Sequence, residues 1–530
     1  MGAPISTHAT PVHTYWTNQW HDGSTRCADR AADGPHPPGP TALSAGAEAS
    51  FALSALRRVM MVAMFVGELA GRWWLPGREE HPVSGTLISA WNERPRVSAI
   101  GLLEPASIDE VVRHMQPSLV QYPVVLGRGV DDKPVTLAGV RAVLRQVHLR
   151  TPEDASIELH AQRAYMGVHL ASEADRFGGA QLELEHLLDF LGRDWIPEEQ
   201  VFEEGRLHHV ELVMIRDEGT LVAFPGGTLR LGLDVSLTGD RSHERGIARG
   251  ARAIVDLDAP IPPLEWMASF VTPFTYLLNL VTGEPIAIER MSLVGPTGGA
   301  NDATAEFLWK RDSPAARSDG PLLPDEMLFT ATTTPIPFVH VLEKWLRASV
   351  ELRPILEIFF ATRGRTRLFE EHRLLNLTQA LEAFHRVRLG GHPIDPDTHA
   401  DRVQRALVGL AALPAKDRKW AGSALDRANE FTLADRITAL VVAHGWMLGD
   451  VIKVKARQFG DHVALTRNYH THWDERRGAA AGSDLWPLNE QLTMLAEACL
   501  LGEIGFDENA TSEAIRRASG SYRALKLNGY

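Results

Sequence analysis

Cysteine is nearly missing from this chain: Cys27 and Cys499 are the only two in 530 residues. Two thiols cannot build a disulfide framework or a cysteine zinc site, and such sparing use fits a reducing compartment. Lysine is scarce too, with 8 residues against 46 arginines. The net charge of -13 lacks the basic excess of a general nucleic-acid coat, although it leaves room for a local basic pocket. No apolar run approaches the ~20 residues a bilayer demands. The stretch from Phe51 to Ala70 contains Arg57 and Arg58, and its uninterrupted part runs only from Val59 to Gly67. The first basic residue is Arg26 and no apolar core follows the start, so the opening does not read as a signal peptide. The expected location is the cytoplasm. Familiar catalytic signatures are absent as well: no serine-hydrolase elbow and no paired-histidine zinc motif. The Gly295–Asn301 loop lacks the Gly-Lys-Ser/Thr ending of a phosphate loop.

What is present divides the chain. Residues 1–60, centred on the Pro- and Gly-rich segment 33–40, show no period and are expected to be disordered or a mis-assigned extension. Met60, Met61 and Met64 are alternative starts. Residues 61–325 carry mostly strand signals. Thr86–Trp91 and Arg96–Ile100 flank a turn-like Asn92-Glu93-Arg94-Pro95 and read as a hairpin. Tyr122–Leu126, Val210–Met214, Leu229–Val235 and Ala253–Leu257 add further short strands. Helical patches are expected at Ile108–His114 and Leu182–Leu191, and Trp266–Val281 reads as an apolar helix broken or kinked by Pro273. A linker is expected over 326–340.

From 341 to 530 the period becomes helical. Val339–Phe360 reads as one helix. Leu374, Leu377, Leu381 and Phe384 form one apolar stripe, and Leu407–Leu413 lies in another helix. Thr432 and Asp435 resemble a capping box that opens a helix reaching about Arg457. Gly460-Asp461 reads as a break, with a new helix starting at Thr466 or Arg467. Leu485–Leu501 and Ser512–Leu525 complete a helical bundle. The fold class is therefore α+β, a β-rich N-terminal domain followed by an all-α bundle.

An arginine followed five positions later by a histidine suits metal-free ribonuclease chemistry: one side chain holds the phosphate and the other moves a proton. The spacing is cheap, since 46 Arg and 22 His give roughly two such pairs by chance. Three occur: Arg367/His372, Arg457/His462 and Arg467/His472. The third has Asn468 after its arginine. A helix starting at Thr466 would put Asn468 and His472 on one face, and would set Arg467 beside free N–H groups at a positive dipole end. Arg467 and His472 would still lie about 140° apart around the helix. Solvated charges in an exposed first turn have the same spacing.

Local charge singles out two segments. Residues 451–478 hold six basic side chains against three acidic, and residues 363–388 hold the same numbers. Packed together they would make a patch suited to an RNA backbone, with Lys453, Lys455, Arg457 and Arg476 as candidate RNA contacts. Ordinary arginine decoration of helices gives the same pattern. His392, Asp395, Asp397 and His399 are metal-ligand types without a ligand spacing. No metal or cofactor is expected.

Arg467-Asn468-Tyr469-His470-Thr471-His472 resembles the signature of HEPN domains, and the helix from Leu374 to Arg386 resembles the first helix of their ApeA-type subfamily. Gly71-Arg72-Trp73-Trp74-Leu75-Pro76-Gly77, Ser84-Gly85-Thr86-Leu87 and Leu277–Gly283 resemble ApeA N-terminal domains. The resemblance implies a bacterial anti-phage, abortive-infection protein. Its HEPN domain would be a metal-independent endoribonuclease with a site completed by a second subunit of a homodimer. Arg467 would then bind phosphate, His472 act as general acid or base, and Asn468 orient them. The N-terminal domain would sense a phage product or restrain the nuclease. A bundle that only binds RNA or dimerises remains the alternative.

Overall fold

The computed structural model describes residues 67–90, 92–104, 120–146, 155–192, 198–203, 206–212, 219–238, 246–295, 304–311, 321–364, 368–445, 449, 451–472, 478–520, 522 and 524–525. The expected helix at Ile108–His114 and the extension 1–60 lie outside these residues, as does most of the Gly295–Asn301 loop. Six strands close on themselves: β1 (Gly67–Trp74), β2 (Val83–Ser89), β3 (Arg96–Ile100), β4 (Gln121–Gly129), β5 (Pro134–Gln146) and β6 (Ser156–His160). The ring runs β1-β2-β3-β6-β5-β4 and back to β1, every pair antiparallel. The expected hairpin is its β2–β3 pair. Closure removes the sheet edges. Trp73, Leu87, Val97, Val125, Leu137 and Leu159 fill the interior.

The barrel is continuous with an open sheet through one strand. The first part of β5 pairs with β7 (Arg163–Met166), and its second part pairs with β6. Gly139 sits at the changeover with φ +60, a left-handed conformation that glycine adopts freely. Beyond β7 the sheet takes in β8 (Phe177–Leu184), β11 (Thr220–Phe224), β12 (Gly227–Thr238), β13 (Gly246–Ile261), β14 (Ile288–Val294) and β15 (Thr304–Trp309). A separate hairpin joins β9 (Glu198–Glu203) to β10 (Arg206–Leu212). The helix expected over Leu182–Leu191 is shorter. Gln181-Leu182-Glu183-Leu184 alternates as the end of β8, and α1 covers only Leu187–Leu191.

A short helix, α2 (Pro263–Trp266), leads into one π-helical turn at Met267–Val271 and then α3 (Thr272–Thr282). Pro273 lies in the first turn of α3, directly after the π-helical turn, and its missing N–H leaves one carbonyl of the preceding turn without a helix bond. The expected break is therefore a change of helix type just before the proline. Helix α3 is apolar on nearly all sides and is buried between sheet and bundle, as such a helix must be. Trp345 Nε1 donates to Pro273 O at 2.7 Å, and Tyr276 stacks on Phe360 at 4.6 Å. One core runs from Phe177 and Val255 in the sheet through Phe274 and Leu278 to Leu356 and Leu495 in the bundle. Met327, Leu328 and Phe329, in the segment read as a linker, are buried in that core.

The bundle contains α4 (Phe338–Glu351), α5 (Arg353–Ala361), α6 (Glu370–Leu389), α7 (Pro396–Gly409), α8 (Ala415–Arg427), α9 (Leu433–His444), α10 (Ala456–His472), α11 (Leu485–Glu503) and α12 (Glu508–Ala518). The single helix expected over Val339–Phe360 is two, because Pro354 opens a new first turn after Leu352. The Thr432/Asp435 capping box is formed. Among the described residues no helix is long and apolar enough to cross a membrane.

Helix α11 is the axis of the bundle, with fifteen of its nineteen residues buried. Its buried carboxylates are met by arginines from elsewhere. Arg363 pairs with Glu497. Arg373 pairs with Glu490 and donates to Thr493 Oγ1, and Arg388 grips both oxygens of Glu503 at 2.8 Å. Burial pushes the Glu497 carboxyl up despite the opposing pull of Arg363. A buried pair broken on one side leaves an uncompensated charge. Arg363→Met is expected to cost about 3–5 kcal/mol of stability. The double change Arg363→Met with Glu497→Leu should recover most of it in denaturant unfolding. Equal loss in single and double variants would show that the pair does not act as a unit.

Candidate ribonuclease face of helix α10

The Arg467–His472 motif occupies the last two turns of α10, not the first turn of a new helix. The helix begins ten residues before the expected start and runs through Gly460 and Asp461. Gly460 is buried, and its missing side chain is a packing device. A Cβ there would lie 2.4 Å from Thr438 Oγ1 and 2.5 Å from Ala434 O, both on α9. Two helix backbones meet at that point, which only glycine permits. The correction has an electrostatic consequence. The motif lies at the negative end of the helix dipole, where carbonyls rather than N–H groups are free. Any affinity for phosphate must come from side chains.

Helical spacing divides α10 into two faces. Phe459, Val463, Thr466 and His470 form the buried stripe. Thr466 Oγ1 accepts the Ala480 N–H at 3.2 Å, and His470 Nε2 is 2.9 Å from Ala480 O. These two bonds fasten the end of α10 to the segment that leads into α11. The other face carries the motif. Arg467 and Asn468 are half-buried and His472 is exposed. Arg467 Nη1 donates to Asn468 Oδ1 at 3.2 Å. Asn468 and His472, four apart on one helix, share a face. Thr466 and His470 are the residues that sequence reasoning missed. Their signal was the 459/463/466/470 stripe, which requires a helix through Gly460.

The three arginine–histidine pairs now differ physically. Arg367 lies outside the described residues. Arg457 is held by Asp435 at 2.5 Å and by Asp461 at 3.0 Å, which keep its guanidinium pKa above the ordinary value. Among the described residues, no carboxylate pairs with Arg467. Lys453 and Lys455 are exposed just before α10, and Arg457 is in its first turn. They stand at the opposite end of the helix from the motif, about 15 Å from Arg467 by the helical rise. Arg476 lies outside the described residues. The basic patch expected over 363–388 is largely neutralised, because Arg363, Arg373 and Arg388 serve the α11 glutamates. His392 and His399 are each committed to a backbone carbonyl, Asn429 O and Leu425 O, and Asp395 caps α7. Among the described residues no group of three metal-ligating side chains assembles.

Two family models match the chain. One described as Apea-like HEPN covers residues 375–510, which include the whole of α10. One described as ApeA N-terminal domain 1 covers residues 68–345, the barrel, the sheet and α3. No curated protein and no solved structure matches.

Alanine is the better helix former by about 1 kcal/mol, so Gly460→Ala would stabilise an unpacked helix. Here it is expected to lower the thermal midpoint, because the added methyl collides with α9. A raised midpoint would mean that α9 and α10 do not meet at Gly460.

Proposed function

Because the chain belongs to the ApeA-like HEPN family, we propose that it is an endoribonuclease of anti-phage, abortive-infection defence that needs no metal. The observation that carries this reading is the Arg467 guanidinium, which no carboxylate among the described residues pairs and which Asn468 steadies, on the same helix end as the exposed His472. A guanidinium without a carboxylate partner is available to a phosphate. An exposed imidazole can reach a ribose hydroxyl or a leaving oxygen and carry its proton.

The reaction follows from these groups. One His472 takes the proton from a ribose 2′-hydroxyl as its oxygen attacks the adjacent phosphorus. The bond to the 5′-oxygen breaks, and a second His472 gives that oxygen a proton. The products are a 2′,3′-cyclic phosphate and a free 5′-hydroxyl. Arg467 neutralises the charge gathering on the phosphoryl oxygens. One helix end holds one histidine, and its Arg467 lies about 140° away from it. Two copies about a two-fold axis supply both histidines and let each arginine work beside the partner's histidine. A homodimer through this face is therefore part of the proposal.

Purified protein should cleave RNA in the presence of a chelator, and Arg467→Ala or His472→Ala should each reduce the rate about 100-fold or more. Mixing unmodified protein with excess His472→Ala protein should lower cleavage well below what dilution explains, since a mixed dimer keeps only one of the two histidines. Full activity in either single variant would refute the assignment. Activity that falls only in proportion to dilution would refute the shared site.

A further inference from the structure

The outer surface of the barrel carries a groove of about 990 Å³ across β4, β1, β2 and β3. Its floor is the outward face of these strands, which carries Ala70, Arg72, Ser84, Thr86, Ser98 and Ile100. Gly71 is opposite Gly129 on one side and Gly85 on the other, and Gly85 is opposite Ala99. A Cβ on Gly71 would come within 2.6 Å of Arg128 O, and one on Gly85 within 2.6 Å of Ser98 O. Ala99 belongs to the barrel core, so these glycines lie on the inward face and assign nothing to the groove.

Two further observations point to a ligand. Arg72 and Arg128 are directly opposite on adjacent strands, and both line the groove. Like charges in that position oppose folding. Among the described residues Arg72 has no ion-pair partner, Arg128 reaches only the exposed Asp132, and Glu79 is the one carboxylate in the lining. The second observation is Trp74. It is 8% exposed and forms part of the groove wall, and among the described residues its indole N–H meets no hydrogen-bond acceptor. The neighbouring Trp73 shows the usual outcome, donating to Gly85 O at 3.1 Å. A buried donor without an acceptor is uncommon in folded proteins. Ser84, facing Arg72 from β2, and Thr86 and Ser98 add hydroxyls to the lining.

We propose that this groove binds a nucleotide-sized, phosphate-bearing small molecule. The opposed guanidiniums take the phosphates, which removes their mutual repulsion. Trp74 and the hydroxyls take oxygen or nitrogen acceptors of the ligand body. The volume is that of a small-molecule site. A polyanionic strand is disfavoured, because the two guanidiniums form an isolated pair on a chain of net charge -13.

The test is equilibrium dialysis of the full chain with labelled ATP, with inorganic pyrophosphate as competitor. Saturable ATP binding, displaced by pyrophosphate, is expected. Arg72→Ala and Arg128→Ala should each weaken it about ten-fold or more, the loss typical of one charge-assisted contact. Trp74→Phe keeps the packing and removes only the donor, and should weaken binding by a smaller factor. Arg467→Ala should bind as the unmodified protein does, which separates this site from the proposed nuclease face. The inference is overturned if ATP does not bind, or if binding survives the Arg72→Ala, Arg128→Ala double change. It is equally overturned if binding is lost in Arg467→Ala, or if RNA oligonucleotides displace ATP while pyrophosphate does not.

Discussion

Buried carboxylates on α11 can be tolerated only if cations are delivered to them, and this requirement organises the helical half of the molecule. Glu490 and Glu497 are buried and Glu503 half-buried along one mostly apolar helix. Arg363, Arg373 and Arg388 come from the end of α5 and from the two ends of α6. Each pair fixes the height of one element along the α11 axis, so apolar packing can then be specific in register. The same arginines also reach back toward the N-terminal half. Arg363 donates to Asn279 O on α3 as well as pairing with Glu497. The ion pairs and the shared core thus converge on α3.

With α11 as axis and α3 as junction, the two family-matched regions are mechanically one body. The core does not thin out between them. The α10 end is held from its other side by Thr466 and His470 on Ala480. Its outward face is consequently presented by a rigid support, which suits chemistry that depends on placement rather than on a flexible loop. The barrel, joined to the sheet through β5, projects away from this junction with its own separate core.

Much of this was legible in the sequence where the signal is local. The Thr432/Asp435 cap, the β2–β3 hairpin and the Leu374–Phe384 stripe depend on residues a few positions apart. The failures share a cause. Gly460 reads as a helix breaker because its reason, the close approach of Ala434 and Thr438, lies on another helix. The arginines at 363, 373 and 388 read as a surface patch because their partners are 134, 117 and 115 positions away. Barrel closure through β5–β6 leaves no mark on composition or period. The place of Arg467 and His472 at the end of a helix rather than its start was not legible either.

The place of α11 in the chain has a consequence for synthesis. Its residues leave the ribosome after every arginine that clamps it. Until Leu485–Glu503 emerges, helices α4 to α10 have no axis to pack on, and Arg363 and Arg373 have no carboxylates to meet. Domains fold as their sequence becomes available. The barrel and sheet can therefore mature first, while the bundle forms only once α11 has emerged. For a protein proposed to cut RNA, an interrupted or prematurely terminated chain would lack the support that presents Arg467 and His472.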